Sequence, residues 1–247
     1  MPVSDCSMTA LWGDEHPDLG NVAVAALDPG MALALSRGRF PKAYRHVDPN
    51  EDAALAVSGP GGRLLAVADG HNGFEAARAA VEAVAQKAPA LLDRGTDPEA
   101  ALRTVFATAG RAIAAAVAGA PGPRRSSRTA LSLVLIGESE AWTATLGDTA
   151  VIRVRGDRTK LLSDELPFLG PNSPAPPVEA VKLRERDRLL VVSDGVIDFL
   201  GTSWATRLGE AVAAAPGAER CARQLVDLAL AGGAGDNVAV AAAWPGD

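Results

Sequence analysis

Aromatic residues make up only 4% of this 247-residue chain, so its core has to be built from Ala, Val and Leu. Cysteine is almost missing as well: Cys6 and Cys221 are the only two, with no metal-like spacing and too few for a disulfide framework. They read as free thiols in a reducing compartment. A basic excess is lacking, since the net charge is −6, and nucleic-acid or anionic-membrane partners ask for a basic face. The first fifteen residues contain Asp5, Asp14 and Glu15 and no sustained apolar stretch, so no signal peptide is expected. No later segment reads as a membrane span. These absences lead to the expectation of an acidic, cytoplasmic protein without an anchor.

What is present is apolar: 48% of the residues, in a chain long enough for one large domain or two small ones. Residues 1–20 read as a lead-in to a single domain over 21–247. Apolar runs at 22–26 and 31–36 flank Asp28-Pro29-Gly30, a hairpin signal. Residues 53–57, Gly59-Pro60-Gly61-Gly62 and the run from Leu64 predict a second hairpin. Beyond Gly73 the period changes, and Phe74, Ala77, Val81 and Val84 mark one face of a helix that Pro89 limits. Asp97 as N-cap and Pro98 at the first helical position open another.

Residues 121–128, PGPRRSSR, predict a surface loop. Strands follow at 130–136, 141–146 and 151–154, with Gly147-Asp148 and Gly156-Asp157 expected as hairpin turns. The proline-rich stretch 167–177 predicts a loop. A strand at 188–192, a helical turn at 197–200, helices at 204–214 and 218–231 and a strand at 238–244 complete the chain. Strands, two helices, strands, two helices, strand is an α+β order, with helices covering packed sheets.

Acidic residues recur at the ends of these apolar runs. Asp69-Gly70-His71 ends the run from Leu64, Asp194-Gly195 follows 189–192, Asp236-Asn237 precedes the last strand, and Glu51-Asp52 precedes 53–57. One Asp-Gly is a common turn dipeptide. The repetition points to a single oxygen-rich site gathered by folding, which suits hard divalent cations.

Asn50-Glu51-Asp52, Asp69-Gly70-His71-Asn72-Gly73, Gly147-Asp148-Thr149, Ser193-Asp194-Gly195-Val196-Ile197-Asp198 and Gly235-Asp236-Asn237 follow in that order. The ordered set resembles the landmarks of the metal-dependent serine/threonine protein phosphatases of the PP2C (PPM) type, from Asn50 nearly to the C-terminus. The resemblance implies a four-layer αββα sandwich, two antiparallel sheets flanked by helix pairs. It also implies that Asp52, Asp69, the Gly70 carbonyl, Asp194 and Asp236 hold two Mn²⁺ or Mg²⁺ ions, with Asp69 bridging. Glu51 would act through water, and Asp148 and Asp198 would hold a looser third ion. Such a pair of ions lowers the pKa of a shared water and offsets phosphoryl charge, so the expected activity is hydrolysis of phosphoserine and phosphothreonine monoesters in proteins. His71 would protonate the departing alkoxide or, more plainly, orient a ligand. The expected partner is a phosphorylated protein, the substrate of a cognate kinase, and the expected state a monomer. The alternatives are a binding module with little turnover and a phosphatase of a non-protein phosphomonoester.

The chain departs from the family pattern in three places. Val47 stands where the family has a phosphate-binding arginine, which makes Arg45, two residues back on the same strand face, the candidate. Ser127-Arg128-Thr129-Ala130 replaces a glycine followed by small hydroxyl residues, so Arg128 reads as a substitute charge or as part of the basic loop. Leu162-Ser163-Asp164-Glu165 lacks the family's histidine and runs almost directly into residues 166–170, LPFLG, so the flap beside the site is expected to be short or absent.

Overall fold

A computed structural model describes residues 6–43, 46–170 and 172–245. Two six-stranded sheets with antiparallel pairing stack face to face. The first runs in the order β1 (Ser7–Trp12), β4 (Ala53–Gly59), β5 (Gly62–His71), β6 (Arg128–Ile136), β7 (Glu140–Leu146) and β10 (Val178–Lys182). The second runs β2 (Ala23–Asp28), β3 (Met31–Ser36), β12 (Val238–Ala243), β11 (Asp187–Val192), β8 (Ala150–Arg155) and β9 (Arg158–Leu161). Helices α1 (Glu75–Leu91) and α2 (Pro98–Ala118) cover the first sheet, and α3 (Asp194–Leu200), α4 (Trp204–Ala214) and α5 (Ala218–Ala231) the second. This is the α+β sandwich expected from the element order.

Strand alternation divides the core into three layers. On β5, Leu64, Ala66 and Ala68 face α1 and α2, while Leu65 and Val67 face the opposite sheet. On β3, Ala32 and Ala34 lie under α5, and Met31, Leu33 and Leu35 point between the sheets. Placing alanine on the helix side lets α5 lie close to the strand and leaves the inter-sheet layer to larger side chains. Because both faces are covered, all six residues of β3 are buried and its sequence shows no polar alternation.

Helix boundaries follow local chemistry. The Asp97 carboxylate accepts the Glu99 N–H at 3.2 Å, and Pro98 needs no partner in the first turn. Pro89 does not end α1, which continues to Leu91, because a proline in the last turn removes only one bond and the Leu92 N–H still reaches the Ala88 carbonyl at 2.9 Å. Helix α2, at 21 residues, is apolar enough by length and composition to cross a membrane. Here its Leu102, Val105, Phe106, Ala109 and Ile113 stripe is packed into the core beside α1.

Other expectations need correction. Residues 7–12 are not a loose lead-in: β1 pairs with β4 from Ser7 opposite Ser58 to Trp12 opposite Ala53, and Leu11 enters the inter-sheet core. Gly147-Asp148 is no hairpin turn, since β7 and β8 lie in different sheets and this turn carries the chain between them, with Gly147 at φ +96°. Strand β10 was not anticipated, because VEAVK is an edge strand whose exposed charged positions hide its pattern. Helix α3 starts at Asp194, three residues before the expected turn.

Leu65→Ala should lower unfolding free energy by about 2–5 kcal/mol. Met8→Ala, on an exposed side chain of β1, should change it by less than about 0.5 kcal/mol. Urea denaturation midpoints measure both.

Candidate active site

The alternation that builds the inter-sheet core also aims the acidic residues. Leu65 and Val67 point between the sheets, so Asp69 and His71, two and four residues on, continue that stripe beyond the apolar layer. Asp52 likewise precedes Ala54 and Ala56, both in the inter-sheet layer. From the second sheet, Ser193-Asp194 at the end of β11 and Asp236-Asn237 before β12 arrive at the same end of the sandwich. Asp148 arrives on the turn between sheets.

Polar side chains hold these segments together. The Asn237 Oδ1 accepts the Glu51 N–H at 2.9 Å, while its Nδ2 donates to the carbonyls of Pro49 at 2.9 Å and Arg37 at 3.1 Å. The Glu51 Oε1 accepts the N–H groups of Gly73 at 2.6 Å, Asp48 at 3.1 Å and Val47 at 3.4 Å. One carboxylate oxygen of Glu51 therefore holds backbone, and only Oε2 is turned elsewhere, 3.5 Å from Lys42 Nζ. The Thr129 hydroxyl donates to the Asp69 carbonyl at 2.8 Å. A side chain at Gly70 would collide with the Glu51 carbonyl, and one at Gly195 with that of Asn237. Close approach of these loops is what requires glycine there.

The electrostatics are adverse. Ligating atoms of Asp69, His71 and Asp148 all lie within 4.8 Å of one another, and His71 Nε2 is 3.7 Å from Asp69 Oδ1. Burial, then the charges of Asp52, Asp194 and Asp148, hold the Asp69 carboxyl well above the usual range. Asp52 is raised well above it by burial; Lys42 opposes the shift, and Asp236 and Asp194 add to it. Asp194 is pushed up to about 6, first by burial and then by Asp236, Asp148 and Asp198. Asp148 is raised by burial, with His71 opposing. His71 is lowered by burial, with Asp148 opposing and Lys42 and Arg128 reinforcing.

Both Asp52 carboxylate oxygens, Asp148 Oδ1 and His71 Nε2 are buried without a hydrogen-bond partner. Unpartnered carboxylate oxygens converging in one buried place fit a hard divalent cation, which takes oxygen donors and removes the repulsion among them. The structure thus brings Asp52, Asp69, Asp148, Asp194, Asp198 and Asp236 into one electrostatic neighbourhood. Arg45 lies outside the described residues.

Sequence reasoning missed two cations and undervalued a third. Lys42 is buried with its Nζ 3.1 Å from Asp236 Oδ1, and nothing in its local sequence marks it. Arg124, assigned to a surface loop, bonds Asp48 at 2.6 Å and Glu75 at 2.8 Å and stacks on Phe74, pinning its 3₁₀ turn to the start of α1. Arg128 is the first residue of β6 rather than loop, directly opposite His71.

Comparison with known proteins agrees with this fold. Residues 41–229 match the family model for protein phosphatase 2C. The chain belongs to that family. Among solved structures it is similar to the Mycobacterium tuberculosis serine/threonine phosphatase PstP/Ppp, at 25% identity over 90% of this chain and 98% of that one, TM-score 0.70. The PstP catalytic domain in complex with two manganese ions matches at 25% identity over 90% and 99% of the two chains, TM-score 0.71. PppA of Pseudomonas aeruginosa, at 18% identity over 91% and 97%, TM-score 0.67, shares the fold. No curated protein sequence matches the chain.

The raised carboxyls predict how the metal-free protein responds to pH. A carboxyl whose pKa is higher folded than unfolded binds its proton more tightly in the folded state. Its stabilisation is complete at low pH and is lost as pH rises from about 4, the unfolded value, through the folded one. For Asp194 that upper limit is about 6, and for Asp52 and Asp69 it lies well above the usual carboxylate range. In chelator, Asp52→Asn should therefore raise the melting temperature over wild type at pH 8, with the gain shrinking toward pH 5. Saturating Mn²⁺ should reverse the order at pH 8. Scanning calorimetry across pH measures all three.

Proposed function

We propose that this chain is a divalent-metal-dependent phosphatase acting on phosphoserine and phosphothreonine in proteins, opposite a serine/threonine kinase. The observation that carries the reading is the pair of buried, unpartnered Asp52 oxygens within a ring of mutually repelling carboxylates. Asp52, Asp69, the Gly70 carbonyl, Asp194 and Asp236 would hold two Mn²⁺ or Mg²⁺ ions, and Asp148 and Asp198 a third. Bound there, such ions supply an activated water and offset charge on phosphoryl oxygens. The 25% identity to a protein described as a serine/threonine phosphatase supports the substrate class.

The chain's own groups supply positioning and proton transfer. Glu51 and Asn237 hold the loops that present Asp52 and Asp236 in fixed relation, as preorganised electrostatics requires. His71 lies beside Asp69 with Nε2 unbonded. Burial lowers its pKa, and an approaching phosphoryl dianion raises it again. It is then suited to pass a proton to the departing alkoxide. A binding module without turnover would have no reason to keep these carboxylates crowded and unpartnered.

Hydrolysis of an aryl phosphate and of a phosphothreonine peptide should require Mn²⁺ or Mg²⁺ and stop in chelator. Asp69→Ala and Asp194→Ala should each lower kcat by at least about a thousandfold, and His71→Gln by about a hundredfold. Turnover that persists in chelator, or in both aspartate variants, rules the reading out.

A further inference from the structure

A phosphate monoester is a dianion, and it must approach a site ringed by aspartates. Even with divalent cations seated, those carboxylates leave little surplus positive charge, so recognition asks for a cation of the protein that is not already neutralised.

The nearby basic residues among those described, which do not include Arg45, can be taken in turn. Arg124 is neutralised by Asp48 and Glu75. Arg78 is held by Asp14 at 3.3 Å and Glu15 at 3.0 Å and lies over Trp12. Arg125 donates its Nε to the Ala120 carbonyl at 3.0 Å. Lys42 is buried against Asp236 and Glu51. Arg128 is exposed, as Arg125 is, and meets no carboxylate among the described residues; its guanidinium lies 4.7 Å from the Phe168 ring centre.

Its position is set by the sheet. Arg128 and His71 are register partners on β6 and β5, and directly opposed residues put their side chains on the same face. The two share one aromatic neighbour: the His71 ring meets Phe168 edge-on with centroids 4.6 Å apart, beside the guanidinium. Phe168 is in turn held in place. Leu169 exchanges backbone bonds with Thr129 at 2.8 and 3.4 Å, and the Ser173 hydroxyl donates to the Phe168 carbonyl at 3.0 Å. Leu166 in turn exchanges backbone bonds with Gly147 at 3.0 and 3.1 Å, so the segment 166–169 is tied to the turn after β7 and to the start of β6 and pins an aromatic ring at the rim of the acidic cleft.

We propose that Arg128, positioned by Phe168, is the residue that binds the phosphoryl group. The guanidinium fork suits two non-bridging oxygens at once, and a ring-stacked arginine loses less freedom on binding than a free one. The His71 imidazole, across the strand pair, is left facing the leaving oxygen. Substrate recognition would then come from the start of β6 and the pinned 166–169 segment. The proposal rests on the phosphatase reading above.

The test uses two probes on the whole chain: steady-state hydrolysis of an aryl phosphate with Mn²⁺, and calorimetric titration of the Mg²⁺-loaded protein with inorganic phosphate. Arg128→Ala should raise both KM and the phosphate Kd by about ten- to a hundredfold, with kcat falling less than KM rises. Arg128→Lys should recover part of the loss. Phe168→Leu should fall between, Phe168→Tyr should behave as wild type, and Arg125→Ala should change neither constant. Unchanged phosphate Kd in Arg128→Ala overturns the proposal, as does a fall in kcat alone, which would mean that Arg128 acts only through His71. A wild type that binds no phosphate overturns it as well. Arg128-dependent phosphate binding without any metal-dependent turnover would keep Arg128 as the anion site and remove the phosphatase reading instead.

Discussion

Mutual repulsion among buried carboxylates is the constraint around which this molecule is built. Asp52 and Asp69 are almost wholly excluded from solvent and face Asp148, Asp194 and Asp236, an arrangement that costs folding free energy in the absence of a cation. The apolar sandwich behind them supplies the rigidity to hold them there. Leu65 and Val67 seat β5 against the opposite sheet, and the next inward positions on that strand are Asp69 and His71. The core and the site are consecutive parts of one stripe.

Hydrogen bonds between loops finish what the sheets begin. Asn237 ties the start of β12 to the backbone at Pro49, Glu51 and Arg37, and Glu51 ties that backbone to Gly73 at the head of α1. Segments from both sheets and from the first helix are thereby fixed to one another within hydrogen-bonding distance, at the place where the acidic groups meet. Lys42 takes part in the same balance, setting one buried positive charge against Asp236 and Glu51. The network explains why glycine occupies positions 70 and 195, where neighbouring carbonyls leave no room for a side chain.

Strong local periodicity was legible in the sequence. Helices α4 and α5 fall on their expected residues, the Asp97-Pro98 start of α2 holds, and both early hairpins form. Elements whose signal depends on a neighbour were not. Strand β1 is half-buried and gains its structure by pairing with β4, β10 is a charged edge, and Gly147-Asp148 has the local chemistry of a hairpin although its flanking strands pair in different sheets.

Within the site, Asp52, Asp69, Asp194 and Asp236 were legible because acidic residues recur at the ends of separate apolar runs, although each Asp-Gly alone reads as a common turn. The cations were not, because a lysine or arginine in a polar stretch looks solvated until folding shows what it faces. By itself the sequence determined the α+β order and set Asp52, Asp69, Asp194 and Asp236 at the ends of apolar runs, both written in period and in residue type, while the four-layer sandwich and the parts of Asp148 and Asp198 were implied only by the resemblance to the phosphatase family. Only the tertiary structure decided that Arg124 is spent on Asp48 and Glu75, that Lys42 is buried beside Asp236, and that Arg128 stands opposite His71. Which charge meets which is a matter of distance across strands far apart in the chain, and distance is what folding supplies.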